Sequence, residues 1–131
     1  MSEKFALVKQ YLHDMEMVIV SEDPVEELVV VENEDHGLKN LVIDCEDTIL
    51  VIEQAIMKVP NEPGDLFKRL LQMNRLLVHG AFVLDEEART ILFRDTLQLE
   101  NLDRNELEGS IQSLSLGLAE FSSVLLDYAR K

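Results

Sequence analysis

With 131 residues, 47% of them apolar and 29% charged, the chain (residues 1–131) has material for one ordinary domain and is too rich in Leu, Ile and Val for an acidic disordered tail. Twenty-six acidic residues against twelve basic ones give a formal charge of −14, which repels nucleic acid and anionic membrane surfaces and sets both aside as partners. There is no signal-peptide pattern, no run of about 18 apolar residues, and a single cysteine, Cys45, without a mate for an internal disulfide, so the expected compartment is the reducing cytoplasm.

Ser2 is placed to cap a first helix whose apolar positions Phe5, Val8, Leu12 and Met15 fall at three- and four-residue spacing. The next stretch, "EMVIVSEDPVEELVVVENEDHGLKNLVIDCEDTILVIEQAIMKV", holds β-branched clusters separated by turn signals at Asp23-Pro24 and at residues 33–37. It predicts an antiparallel meander of three or four strands. Residues 48–58 also fit a helical face through Ile49, Ile52, Ile56 and Val59, with Asp47 as cap. The short, mostly β-branched run at 49–52 favours strand.

"VPNEPGDLFKRLLQMNRLLVHG" predicts a second helix that starts after Pro60, Asn61 and Pro63, buries Leu66, Leu70, Leu71 and Leu77, and stops before Gly80. His79 beside Gly80 reads as a favourable charge at that helix's C-terminal end. The strands "AFVLDEE" and "RTILFRDTLQL" follow as a hairpin turning at residues 86–88. In the second of them Ile91, Phe93 and Leu97 share one face, and Leu92, Arg94, Thr96 and Gln98 the other.

The last helix has the clearest start. Asp103 and Glu106 have capping-box spacing, and Leu102 can staple onto Leu107. Leu107, Ile111, Leu114, Leu118, Phe121, Leu125 and Tyr128 form a stripe that suits either a coiled-coil seam or a helix lying on its own sheet. Gly109, Ser113 and Gly117 form a second line, which marks either a close backbone contact or tolerated exposed glycines. The elements together predict an α+β fold, an antiparallel sheet with helices in the order α, three or four β, α, two β, α.

Catalytic chemistry finds no support. Cys45 lies in "IDCEDT" among carboxylates that disfavour the thiolate. His13, His36 and His79 fall in different elements with no metal-ligand spacing. In "ENEDHG" the calcium-loop register would put Ile43 where the bidentate Glu belongs, so this is a turn. No phosphate-cradling glycine motif occurs. Arg94 and Asp95, adjacent on a strand, point to opposite faces and cannot converge on one substrate atom. The expectation is therefore no catalytic residue, no metal and no cofactor.

One feature points outward. Residues 28–31 and 49–52 are apolar at consecutive positions, so both sheet faces are apolar there, where a half-exposed sheet would alternate. Val29, Val31, Leu50 and Ile52 are the candidate partner or dimer surface. The cover over the second face is either a helix of the same chain or another subunit or bound segment.

The element order, together with "LFKRLLQMNRLLVHGAFVLDEEARTILFRDTLQLENLDRNELEGSI", resembles the type III secretion chaperone-like superfamily and, within it, the YbjN family. The likeness rests on Leu70 and Leu71 followed by Asn74, a strand restarting at Gly80, the leucine-rich "TLQLENLD" and the final amphipathic helix. It covers residues 60–129 best. The resemblance implies a two-layer α+β fold, homodimers, and protein binding in place of catalysis. A brief first helix running straight into Val- and Glu-rich strands departs from the secretion chaperones and leans to the YbjN side. The expectation is a non-enzymatic, chaperone-like module that holds a protein partner as a homodimer. The rivals are a regulatory domain acting through its acidic surface and, third, an enzyme.

Overall fold

The computed structural model describes residues 2–130. In chain order the elements are α1 (Glu3–Asp14), β1 (Val18–Asp23), β2 (Leu28–Asn33), a single 3-10 turn (Glu34–His36), β3 (Leu38–Glu46), β4 (Ile49–Lys58), α2 (Leu66–Asn74), β5 (Ala81–Leu84), β6 (Thr90–Gln98) and α3 (Arg104–Ala129). The six strands form one antiparallel sheet in the order β1-β2-β3-β4-β6-β5. Residues 49–58 are strand because they pair on both sides, with β3 and with β6. A helix there would leave β3 and β6 each unpaired on the side that β4 occupies.

All three helices contribute to two apolar clusters built on the same sheet face. Phe5, Val8 and Leu12 of α1 meet Val29, Val31, Leu41, Ile43, Leu50, Ile52 and Phe93, and Leu107, Ile111 and Leu114 of α3 close that cluster. Leu66, Leu70 and Met73 of α2 meet Phe82 and Ile91, with Leu125 and Tyr128 from the far end of α3. With 26 residues, α3 is about 39 Å long, enough to lie across both clusters. Its apolar stripe is spent on its own sheet, which settles the alternative of a coiled-coil seam.

The expected caps are present. Ser2 Oγ accepts from the Phe5 N–H at 3.1 Å. Asp103 Oδ1 accepts from the Glu106 N–H at 2.7 Å, and Glu106 Oε1 from the Asp103 N–H at 3.4 Å. Leu102 and Leu107, the expected staple, are both buried in the first cluster.

Two expectations change around α2. Leu71 is 72% exposed, because Leu66, Leu70 and Met73 carry the buried face and a neighbour of Leu70 is turned about 100° away from it. His79 does not cap the helix, which ends at Asn74. It lies against α3 instead, where Ser113 Oγ accepts from the His79 N–H at 3.1 Å and donates to its carbonyl at 2.7 Å. That contact explains the line of small residues. A Cβ on Gly109 would stand 3.4 Å from His79 Nε2, and one on Gly117 only 2.7 Å from Leu77 Cδ2.

Candidate protein-binding surface

The four residues expected to meet a partner lie on the helix-covered face. Val29, Val31, Leu50 and Ile52 have no exposed surface, because α1 and α3 of the same chain close over them. Their side chains are core, and the surface reading moves to other residues. The physical reason is the pleat: of two adjacent apolar residues on a strand, one must face away from the helices.

Strand register defines that opposite face. One row across the sheet runs Ser21, Val30, Val42, Glu53, Arg94, Ala81. A second runs Asp23, Leu28, Asp44, Val51, Thr96. Leu28, Val30, Val42 and Ile49 are half-buried by their neighbours, and Val51 is buried although it belongs to neither helix-covered cluster. Glu53 and Arg94 form a cross-strand ion pair in the first row. Asp95, one residue on, faces the helices and accepts from Ser110 Oγ at 2.7 Å. The separation of Arg94 from Asp95 is thus as the pleat requires, and each has a partner within the scaffold.

Acidic groups crowd the second row. Burial, then the bond to Glu46 and the charges of Glu46, Glu26 and Glu53, raise the Asp44 carboxyl to about 6. Beside it on the inner face, Cys45 is buried, and burial first, then Glu27 and Asp44, push its thiol up to about 11. A thiol held that far from ionisation is a poor nucleophile. Among the described residues no three His, Cys, Asp or Glu side chains are grouped to hold a metal ion. No helix among them is long and apolar enough to cross a membrane.

A run of three accessible apolar residues lies at the edge. Among the described residues β1 pairs only with β2, so its outer side offers unpaired backbone N–H and C=O groups. Val18, Ile19 and Val20 are 58%, 38% and 52% exposed in succession. A register shift between Ile19 and Ser21 bends this edge. Lys9 of α1 flanks it, bonded to Glu22 at 3.1 Å and 4.9 Å above the Phe5 ring. The consecutive apolar letters at 18–20 were a signal of this surface, masked because similar runs at 28–31 and 49–52 are longer.

Two concavities adjoin the helices. A cleft of about 580 Å³ lies between the end of α1 and the start of α3, lined by Met15, Met17, Leu38, Arg104, Glu108 and Ile111 among others. A groove of about 360 Å³ runs between the segment after α2 and the middle of α3, with Leu76, Val78 and Leu116 on its exposed rim.

A family model described as CesT_Tir_1 matches residues 1–131. YbjN from E. coli, described provisionally as a transcription regulator, has a TM-score of 0.69 at 16% identity, covering 92% of this chain and 92% of that one. A chain of the HopA1-SchA chaperone-effector complex has a TM-score of 0.62 at 13% identity, covering 91% of this chain and 96% of that one. At identities this low the structural likeness speaks for the fold alone. No curated protein sequence matches the chain.

Proposed function

This chain belongs to the CesT_Tir_1 family of type III chaperones, and from that premise we propose that it is a non-enzymatic module that holds an extended segment of a protein partner along the β1 edge. The observation that carries the reading is the edge itself, unpaired on one side and apolar at Val18, Ile19 and Val20. A polypeptide adding there gains main-chain hydrogen bonds irrespective of its sequence, with side-chain preference supplied by alternate residues. The net charge of −14 selects basic segments and speeds their encounter. The structure of a chaperone-effector complex among the fold's relatives agrees with a protein partner.

In this reading residues 1–131 act as one cytoplasmic domain, and two copies associate through the groove rimmed by Leu76, Val78 and Leu116. Leu116 is 69% exposed and Val78 80%, an arrangement that a second copy would dry. Capture of partners from a lysate tests the edge. A Val18→Lys, Val20→Lys double variant is expected to keep its fold and lose the captured proteins; undiminished capture would remove the edge from consideration. Light scattering over a concentration series tests the dimer, with Leu116→Asp expected to dissociate it. A wild-type monomer throughout would sink that part.

A regulatory output is the second reading, favoured by the likeness to YbjN. It predicts that partner capture falls steeply with added salt, since an acidic surface would then dominate the contact.

A further inference from the structure

The cleft between α1 and α3 is mixed in a way that defines a guest. Its floor is apolar, made by Met17, Leu38 and Ile111, all buried, with Met15 beside them. Asp14, Glu16 and Glu108 line its walls, against one arginine, Arg104, and one histidine, His36. The carbonyl end of α1 opens on the same side and adds partial negative charge.

Arg104 is out of place by the ordinary rule. It is the first residue of α3, where the exposed N–H groups favour anions and disfavour a cation. It is held by two long contacts, Nη2 to the Asp14 carbonyl at 3.4 Å and Nε to Glu108 Oε2 at 3.5 Å, and its side chain is half exposed. Such contacts contribute little and are readily exchanged.

We infer that this cleft receives a cationic side chain, flanked by apolar ones, from a bound polypeptide, and that Arg104 fills the cationic position in the free chain. A bare amine would satisfy the carboxylates and leave the methionine floor wet, whereas a basic residue between apolar neighbours meets both. Position supports a polypeptide as well. Met17 directly precedes β1 and Asn33 ends β2, and both line the cleft, so it lies at one end of the open edge. The inference rests on the protein-binding reading and adds the chemistry that the held segment must carry.

The probe is the capped tripeptide N-acetyl-Leu-Arg-Leu-amide, titrated into full-length protein carrying isotope-labelled methionine methyl groups. The Met15 and Met17 signals are expected to shift saturably, while Met57 and Met73, packed in the second cluster, stay fixed and report that the fold is intact. Arg104→Ala is expected to tighten binding about two- to fivefold by removing the occupant, and Glu108→Gln to weaken it by a similar factor. Four results overturn the inference: silence at Met15 and Met17, equal shifts at all four methyls, an equal response to N-acetyl-Leu-Glu-Leu-amide or to spermidine, or weaker binding by Arg104→Ala. A silent cleft in a protein whose Val18→Lys, Val20→Lys variant loses its partners would sink the cleft and leave the edge standing.

Discussion

Asn74, the last residue of α2, and Phe82 of β5 exchange two hydrogen bonds. The Phe82 N–H donates to Asn74 Oδ1 at 2.7 Å, and Asn74 Nδ2 donates to the Phe82 carbonyl at 3.1 Å. The amide acts as a one-residue strand beside β5 and locks α2 to the sheet that its Leu70 and Met73 pack against. Asn74→Leu keeps a side chain of similar size and leaves both backbone groups of a buried Phe82 unpaired. It is expected to cost about 2 kcal/mol and lower the Tm by several degrees in a calorimetric scan. Asn74→Asp keeps the acceptor alone and is expected to fall between the two.

Glycine tolerance should differ sharply between two glycines with the same φ. Gly37 and Gly80 both have φ of +72°, but a Cβ on Gly37 meets nothing within 4 Å, whereas on Gly80 it would lie 2.4 Å from Cζ of Phe93. Phe93 is fully buried and has no room to yield. Gly37→Ala is expected to cost about 1 kcal/mol for the left-handed conformation. Gly80→Ala adds overpacking of roughly 1–3 kcal/mol more. Chemical denaturation of the two variants should separate them clearly; equal midpoints would mean that the Phe93 ring moves freely.

Charge placed at the sheet's inner face should unfold the chain without first touching any association. Val29 and Leu50 are sealed beneath α1 and α3, so Val29→Glu and Leu50→Glu each bury an unpaired carboxylate. Both are expected to abolish the cooperative unfolding transition, and Leu50→Ala to cost about 2–5 kcal/mol while remaining folded. A folded Leu50→Glu protein that had only lost a partner would restore the inner face as an interface.

Those residues also mark the limit of what the sequence discloses. Period, caps and turns anticipated the order of helices and strands, with four strands found where three or four were expected and β4 a strand as preferred, but they ran α2 on past Asn74; the family resemblance is upheld by a family match over residues 1–131. Local chemistry could not tell Val29 from Val30, since both are valines in one run and only the distant packing of α1 and α3 decides which is covered. The second helix misled for a related reason: four leucines offered two overlapping faces, and Met73, the third buried residue, was not among them. The cleft was illegible because it joins Asp14 to Arg104, brought together only by the tertiary fold.

Acid should stabilise the protein through Asp44. Its carboxyl rises from an ordinary 3.8 to about 6 in the folded chain, chiefly by burial and then by the bond to Glu46 and the charges of Glu46, Glu26 and Glu53. The folded state therefore binds the Asp44 proton more tightly than the unfolded one. The resulting stabilisation is fully present below 3.8 and is lost as pH rises through about 6. Denaturation midpoints measured from pH 4 to 7 are expected to fall with rising pH in the wild type more steeply than in Asp44→Asn, which keeps the shape without the charge. The variant should also be the more stable protein at neutral pH. Parallel pH profiles for the two would assign the dependence to other carboxylates and leave Asp44 an ordinary solvated acid.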